Sequence, residues 1–152
     1  MHFENVAIGG FTVVGISVRT NNRNGQSKKD ISELWTKFMQ ENIFGKISNK
    51  VNENLYCIYT DYESDFMGEY TTILGYKVDS NENLPEGLIT KVIPDSSYRL
   101  YQSAGNIPES VLKTWKHIWE SDAKRKYLAD FDVYLPDAFS IDSPVVETYL
   151  SV

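Results

Sequence analysis

Apolar and polar positions follow one another along this chain in an order that occurs twice. Alternation over Phe11–Thr20 predicts a strand. Recurrence every three to four residues over Asp30–Phe44 predicts a helix, and alternation returns over Leu55–Asp61 and Tyr70–Val78. The second half repeats the order with a strand at Tyr98–Ser103, a helix at Pro108–Asp122, and strands at Ala129–Leu135 and Val145–Val152. The chain therefore reads as a β-α-β-β unit written twice, over about residues 1–80 and 86–152. Two such units facing each other enclose a cleft, a natural place for a ligand.

The faces of these elements carry the next expectations. Asp30 and Glu33 have capping-box spacing, and Ile31, Leu34, Trp35 and Phe38 share one face behind them. Asn106, Pro108 and Glu109 open the second helix, whose stripe is Val111, Leu112, Trp115, Ile118 and Trp119. The helical aromatics are expected in the core. In the seventh predicted element Phe131, Val133 and Leu135 point one way, and Asp130, Asp132 and Tyr134 the other. In the last, Val146, Thr148, Leu150 and Val152 oppose Glu147, Tyr149 and Ser151. With the apolar faces set against the helices, the carboxylates and tyrosines should line a cleft on the opposite face of the sheet. Across the repeat, Cys57 and Tyr59 correspond to Asp132 and Tyr134, Gly75 to Tyr149, and Phe11 to Tyr98 as a facing wall. Val6–Ile8 and Leu88–Ile93 are apolar lead-ins that extend the first strand of each half through a bend. Thr20–Lys29, Asp79–Gly87 and Pro136–Pro144 read as loops, and the second of these is too short to separate independent domains.

Composition narrows the functions available. One domain is expected for 152 residues, and ten Tyr, seven Phe and three Trp exceed what a small core needs. A net charge of −6 argues against a nucleic-acid surface. The one basic run, Lys124-Arg125-Lys126, is expected to complement the dipole at the end of the second helix. Cys57 is the single cysteine, so no intramolecular disulfide forms, and a small buried hydrophobe is its expected role. His2 and His117 are too few for a histidine-rich metal site, and HExxH, CxxC, GxSxG and phosphate-loop patterns are absent. No signal peptide or membrane-length apolar run is found. The expectation is a cytoplasmic protein with no cofactor, no metal and no membrane association.

Several segments together resemble the GyrI-like small-molecule-binding family, also known as the AraC-type effector-binding domain. They are Tyr59-Thr60-Asp61-Tyr62, Gly68-Glu69-Tyr70-Thr71, Leu74-Gly75-Tyr76-Lys77-Val78, Ile93-Pro94 leading to Tyr98, Asp130-Phe131-Asp132-Val133-Tyr134, and Glu147-Thr148-Tyr149-Leu150-Ser151-Val152. The resemblance covers essentially the whole chain. It implies an α+β fold: a duplicated β-α-β-β module with pseudo-twofold symmetry, an antiparallel sheet, two main helices on one face and the ligand cleft on the other. It also implies a pocket for hydrophobic or cationic organic molecules, with an acidic residue among aromatics. Family members commonly place a Glu where this chain has Asp132, with a Tyr matched by Tyr149. Glu147 is the reserve carboxylate, and Tyr59, Tyr98, Tyr134, Tyr149, Phe11 and Cys57 complete the expected lining. The family's regulators carry a helix-turn-helix domain, for which this chain has no room, so a stand-alone binder is the leading expectation. A hydrolase of electrophilic small molecules, with Asp132, Glu147 and Tyr149 as its catalytic candidates, is the alternative. A protein-binding inhibitor of the gyrase-inhibitory type is the third. A regulator protein as partner and the oligomeric state stay open.

Overall fold

The computed structural model describes residues 1–80 and 83–152; Asn81 and Glu82, in the expected Asp79–Gly87 loop, lie outside them. The strands are β1 (Glu4–Ile8), β2 (Phe11–Thr20), β3 (Leu55–Thr60), β4 (Tyr70–Val78), β5 (Ile89–Ile93), β6 (Ser96–Ala104), β7 (Ala129–Tyr134) and β8 (Val145–Ser151). The helices are α1 (Gln26–Gln40), the short α2 (Ile43–Lys46) and α3 (Glu109–Glu120). All the strands join one antiparallel sheet in the order β1-β6-β8-β7-β3-β4-β2-β5. The protein is α+β and its halves share the sheet, meeting where β3 pairs with β7.

The lead-ins are strands, and each pairs with the other half. β1 lies on β6, from Glu4 opposite Leu100 to Ile8 opposite Ser96. β5 lies on β2, from Phe11 opposite Ile93 to Gly15 opposite Ile89. The bends fall at Gly9-Gly10 and Pro94-Asp95, where the Gly10 N–H donates to the Asp95 carboxylate. The backbone thus runs as two long bent strands paired along their length, and the sheet curls round on itself. This symmetry corrects the repeat by two residues. Matching β1 to β5 aligns Val13 with Tyr98 and Phe11 with Ser96, so Phe11 and Tyr98 are not counterparts.

A curled sheet has two cores. On the helical face Leu34 and Phe38 of α1 and Val111, Trp115 and Ile118 of α3 pack on Val14, Leu55, Cys57, Leu74, Tyr101, Tyr134, Val146 and Leu150. Inside the curl lie Phe11, Val13, Ile58, Ile73, Ile93, Tyr98, Phe131 and Val133. Gly15 and Gly75 pair across β2 and β4, and a Cβ on Gly15 would sit 2.0 Å from the Leu74 carbonyl oxygen. Only glycine allows that approach.

The helix boundaries differ from expectation at their caps. α1 begins behind Gly25, whose left-handed φ of 71° turns the chain into the helix. Asp30 is therefore interior and accepts from Gln26 Nε2 at 2.8 Å, one turn back. α1 stops at Gln40 because Asn42, also left-handed, starts α2 and accepts from the Gly45 N–H at 3.3 Å. α3 ends at Glu120, so the basic run lies beyond it, on an irregular segment leading to β7. Among the described residues no helix is long and apolar enough to cross a membrane.

Candidate functional site

A cavity of about 430 Å³ opens between α1 and α3. The expected cleft on the face away from the helices is therefore replaced by one between them. Ile31 and Trp35 come from α1, Leu112, Trp115 and Trp119 from α3, and Tyr59 and Tyr70 rise from the sheet. Phe66, Tyr62 and Pro108 complete its largely apolar lining, and Asn22, Ser27, Lys28, Ser32 and Arg125 supply polar groups. Each helix carries a wide apolar stripe, and only part of it meets the sheet. Leu112 and Trp119, expected in the core, are 58% and 46% exposed and face the opening.

Beneath this cavity lies Asp132, fully buried on β7. Its carboxylate accepts from Thr148 Oγ1 at 2.6 Å, from the Tyr59 hydroxyl at 3.0 Å and from Trp115 Nε1 at 3.1 Å. These are neutral donors, and burial, only partly offset by them, raises its pKa to about 6. Tyr59 and Trp115 meet edge to face at 5.3 Å, donating to Asp132 while their rings line the cavity. Cys57 is directly opposite Asp132 in the β3–β7 pairing and donates to the Tyr59 oxygen at 3.4 Å. Burial, with Asp132 beside it, pushes the thiol pKa up, so Cys57 stays protonated and acts as the small hydrophobe expected of it.

A second carboxylate lies two residues along the same strand. Asp130 accepts from the Ser151 N–H at 2.7 Å, the Ser151 hydroxyl at 2.9 Å and the Tyr62 hydroxyl at 2.6 Å. Arg125 completes it with a 2.9 Å ion pair, both side chains being almost wholly buried. The guanidinium also lies 4.3 Å over the Tyr127 ring. The helix-dipole role expected for this part of the basic run does not hold, because α3 has already ended. The alternation of β7 put Asp130 on the face of Asp132, but the partner came from a loop with no periodicity to read.

The other expected site residues are dispersed. Tyr134 is on the helical face but packs edge to face on Trp35 and stacks on Phe139 at 5.6 Å, away from the cavity. Glu147, Tyr149, Tyr98 and Phe11 are on the opposite face. The pairing sets Asp132 against Thr148, Phe131 against Tyr149 and Val133 against Glu147. Directly paired residues share a face, so Tyr149 stacks on Phe131 at 4.8 Å inside the curl and donates to Glu147 at 3.3 Å. Phe11 and Tyr98 pack edge to face on the same Phe131. Thr148, read as part of an apolar face, is instead the nearest donor to Asp132.

Comparison with known proteins agrees with this architecture. YobU of Bacillus subtilis (strain 168), named as a transcriptional regulator, is 28% identical over 143 residues, which is 91% of this chain and 89% of that protein. An integron cassette protein from the mobile metagenome of Vibrio cholerae is 29% identical, with a TM-score of 0.78 over 99% of this chain and 95% of that one. The structure of SAV2435 bound to tetraphenylphosphonium superposes with a TM-score of 0.82 over 100% of this chain and 94% of that one, at 15% identity. The C-terminal domain of EcmrR shares the fold, with a TM-score of 0.61 at 11% identity. The family model for Cass2, integron-associated effector binding protein, matches residues 6–152, and the chain belongs to that family of effector-binding proteins.

Proposed function

We propose that this protein binds a hydrophobic or cationic aromatic molecule in the cavity between α1 and α3. The observation that carries this reading is Asp132: a buried carboxylate held by neutral donors, two of which are rings of the cavity wall. Such a group lacks a counter-charge, and a lipophilic cation supplies one. Trp35, Tyr59, Tyr70, Trp115 and Trp119 offer ring faces, each worth roughly 0.5–2 kcal/mol to a well-placed cation. The fold's occurrence in a protein bound to tetraphenylphosphonium supports the same class of ligand. The name of YobU supports a role in transcriptional regulation.

The hydrolytic alternative needs a cleft carboxylate and a tyrosine hydroxyl at one substrate, with Asp132, Glu147 and Tyr149 as its candidates. Asp132 lies on one face of the sheet and Glu147 and Tyr149 on the other, so Asp132 is not paired with the tyrosine candidate, which favours binding. The test is thermal melting with tetraphenylphosphonium. The cation is expected to raise the melting temperature of the wild type by mass action, and the shift should shrink at least several-fold in Asp132→Asn. An equal shift in the variant overturns the assignment of charge to Asp132.

A further inference from the structure

Among the described residues, the cavity wall carries no carboxylate, and its charged members are Lys28 and Arg125. Asp132 is screened by Tyr59 and Trp115. Asp130 is screened by a cation of the protein's own. The geometry points to Asp130 as the subsite for a ligand's cationic head, with Arg125 as its internal occupant. The ligand class that displaces Arg125 is then a planar, delocalised cation, an aryl amidinium or guanidinium. This deepens the cation-binding reading and rests on it.

The occupant shows what the subsite accepts. The guanidinium of Arg125 sits against the Asp130 carboxylate at 2.9 Å, among the rings of Tyr127, Tyr62 and Trp115 at 4.3, 5.9 and 5.8 Å. Tyr62, Trp115 and Arg125 itself all line the cavity, so the subsite is continuous with the space between the helices. A planar cation entering from that space meets the same carboxylate and two of the same rings.

Arg125 is also incompletely held. Nη2 reaches Asp130 and, at 3.5 Å, the Tyr62 hydroxyl, while Nε and Nη1 are buried without an acceptor among the described residues. A strong arginine–carboxylate pair is bidentate, and buried charged donors left unpaired cost stability. The side chain hangs on the irregular segment between α3 and β7, free of any helix or strand. Asp130, in contrast, keeps three neutral donors from Ser151 and Tyr62 when the guanidinium leaves. The exchange conserves charge: one cation enters as another moves to water, so neither state buries an unpaired ion.

The test is calorimetric titration of wild type and Arg125→Gln with 2-naphthamidine and its uncharged isostere, 2-naphthamide. The amidine is expected to bind Arg125→Gln at least tenfold more tightly than wild type, and to gain at least tenfold more from the substitution than the amide does. Equal or weaker amidine binding by the variant overturns the inference. Because Arg125→Gln leaves Asp130 without its counter-ion and can unfold the chain, a second measurement uses wild type alone. The Nε–H of Arg125, followed by NMR, is expected to lose its protection from solvent exchange at saturating amidine. Protection retained with the amidine bound overturns the inference as well. If wild type binds tetraphenylphosphonium through Asp132 while the amidine leaves Arg125 in place, this inference alone falls. If wild type binds no cation, the reading beneath it falls too.

Discussion

A buried carboxylic acid whose desolvation outweighs its hydrogen bonds responds to pH in a sense opposite to one in a salt bridge. Asp132 has its pKa raised from 3.8 to about 6, so between those values the folded protein holds a proton that the unfolded chain has lost. Stability therefore falls as pH rises from about 4 to 6 and levels off above. The loss is on the order of 3 kcal/mol for a shift of this size. Denaturant unfolding at a series of pH values should show this decline in wild type and not in Asp132→Asn. Ligand binding has the reverse sign: a lipophilic cation should bind more tightly as pH rises through 6, when the carboxylate ionises. Calorimetry in two buffers of different ionisation enthalpy would register the proton released. Alternation and the family resemblance single out Asp132 as a candidate, though alternation sets it on the face away from the helices. Its donors were not legible, because Thr148 requires the β7–β8 register and Trp115 requires the docking of α3.

At the scale of elements, β7 shows why the faces were reversed. It lies between β3 and β8, and every one of its residues is buried. Alternation tells which residues share a face, but when both faces are buried, hydrophobicity no longer says which one meets the helices. Phe131 and Val133 went inside the curl, and Asp130, Asp132 and Tyr134 went beneath the helices. Periodicity locates both main helices and their apolar stripes. Their excess width marked the cavity rather than the core. Gly15 offers a test of the close strand pairing that brings β2 against β4. Gly15→Ala should cost more than about 3 kcal/mol or prevent folding, since its Cβ meets backbone that cannot move aside. Gly9→Ala, with nothing within 4 Å of the added carbon, should change the melting midpoint little. Equal effects in thermal melts would contradict the geometry.

For the whole molecule, the order of elements was enough to reveal the duplication. The exchange of β1 and β5 between halves was not legible, because short lead-in strands carry no mark of the partner they choose. One position stands apart under this symmetry. Cys57 and Asp132 are counterparts in the repeat and are also directly opposite each other in the sheet, so the pseudo-twofold axis passes between them. Whatever stands at this place meets its own copy. A chain with aspartate in both halves would bring two carboxyls together that cannot both ionise, and they would share one proton as an acidic dyad. Cys57→Asp should therefore titrate in two widely separated steps, visible in carboxyl carbon NMR, and lose stability toward alkaline pH. Two independent carboxyls with similar midpoints would place the axis elsewhere. A duplicated scaffold can carry a single usable charge at its centre only by giving up its symmetry there, and the neutral thiol is what lets Asp132 ionise alone.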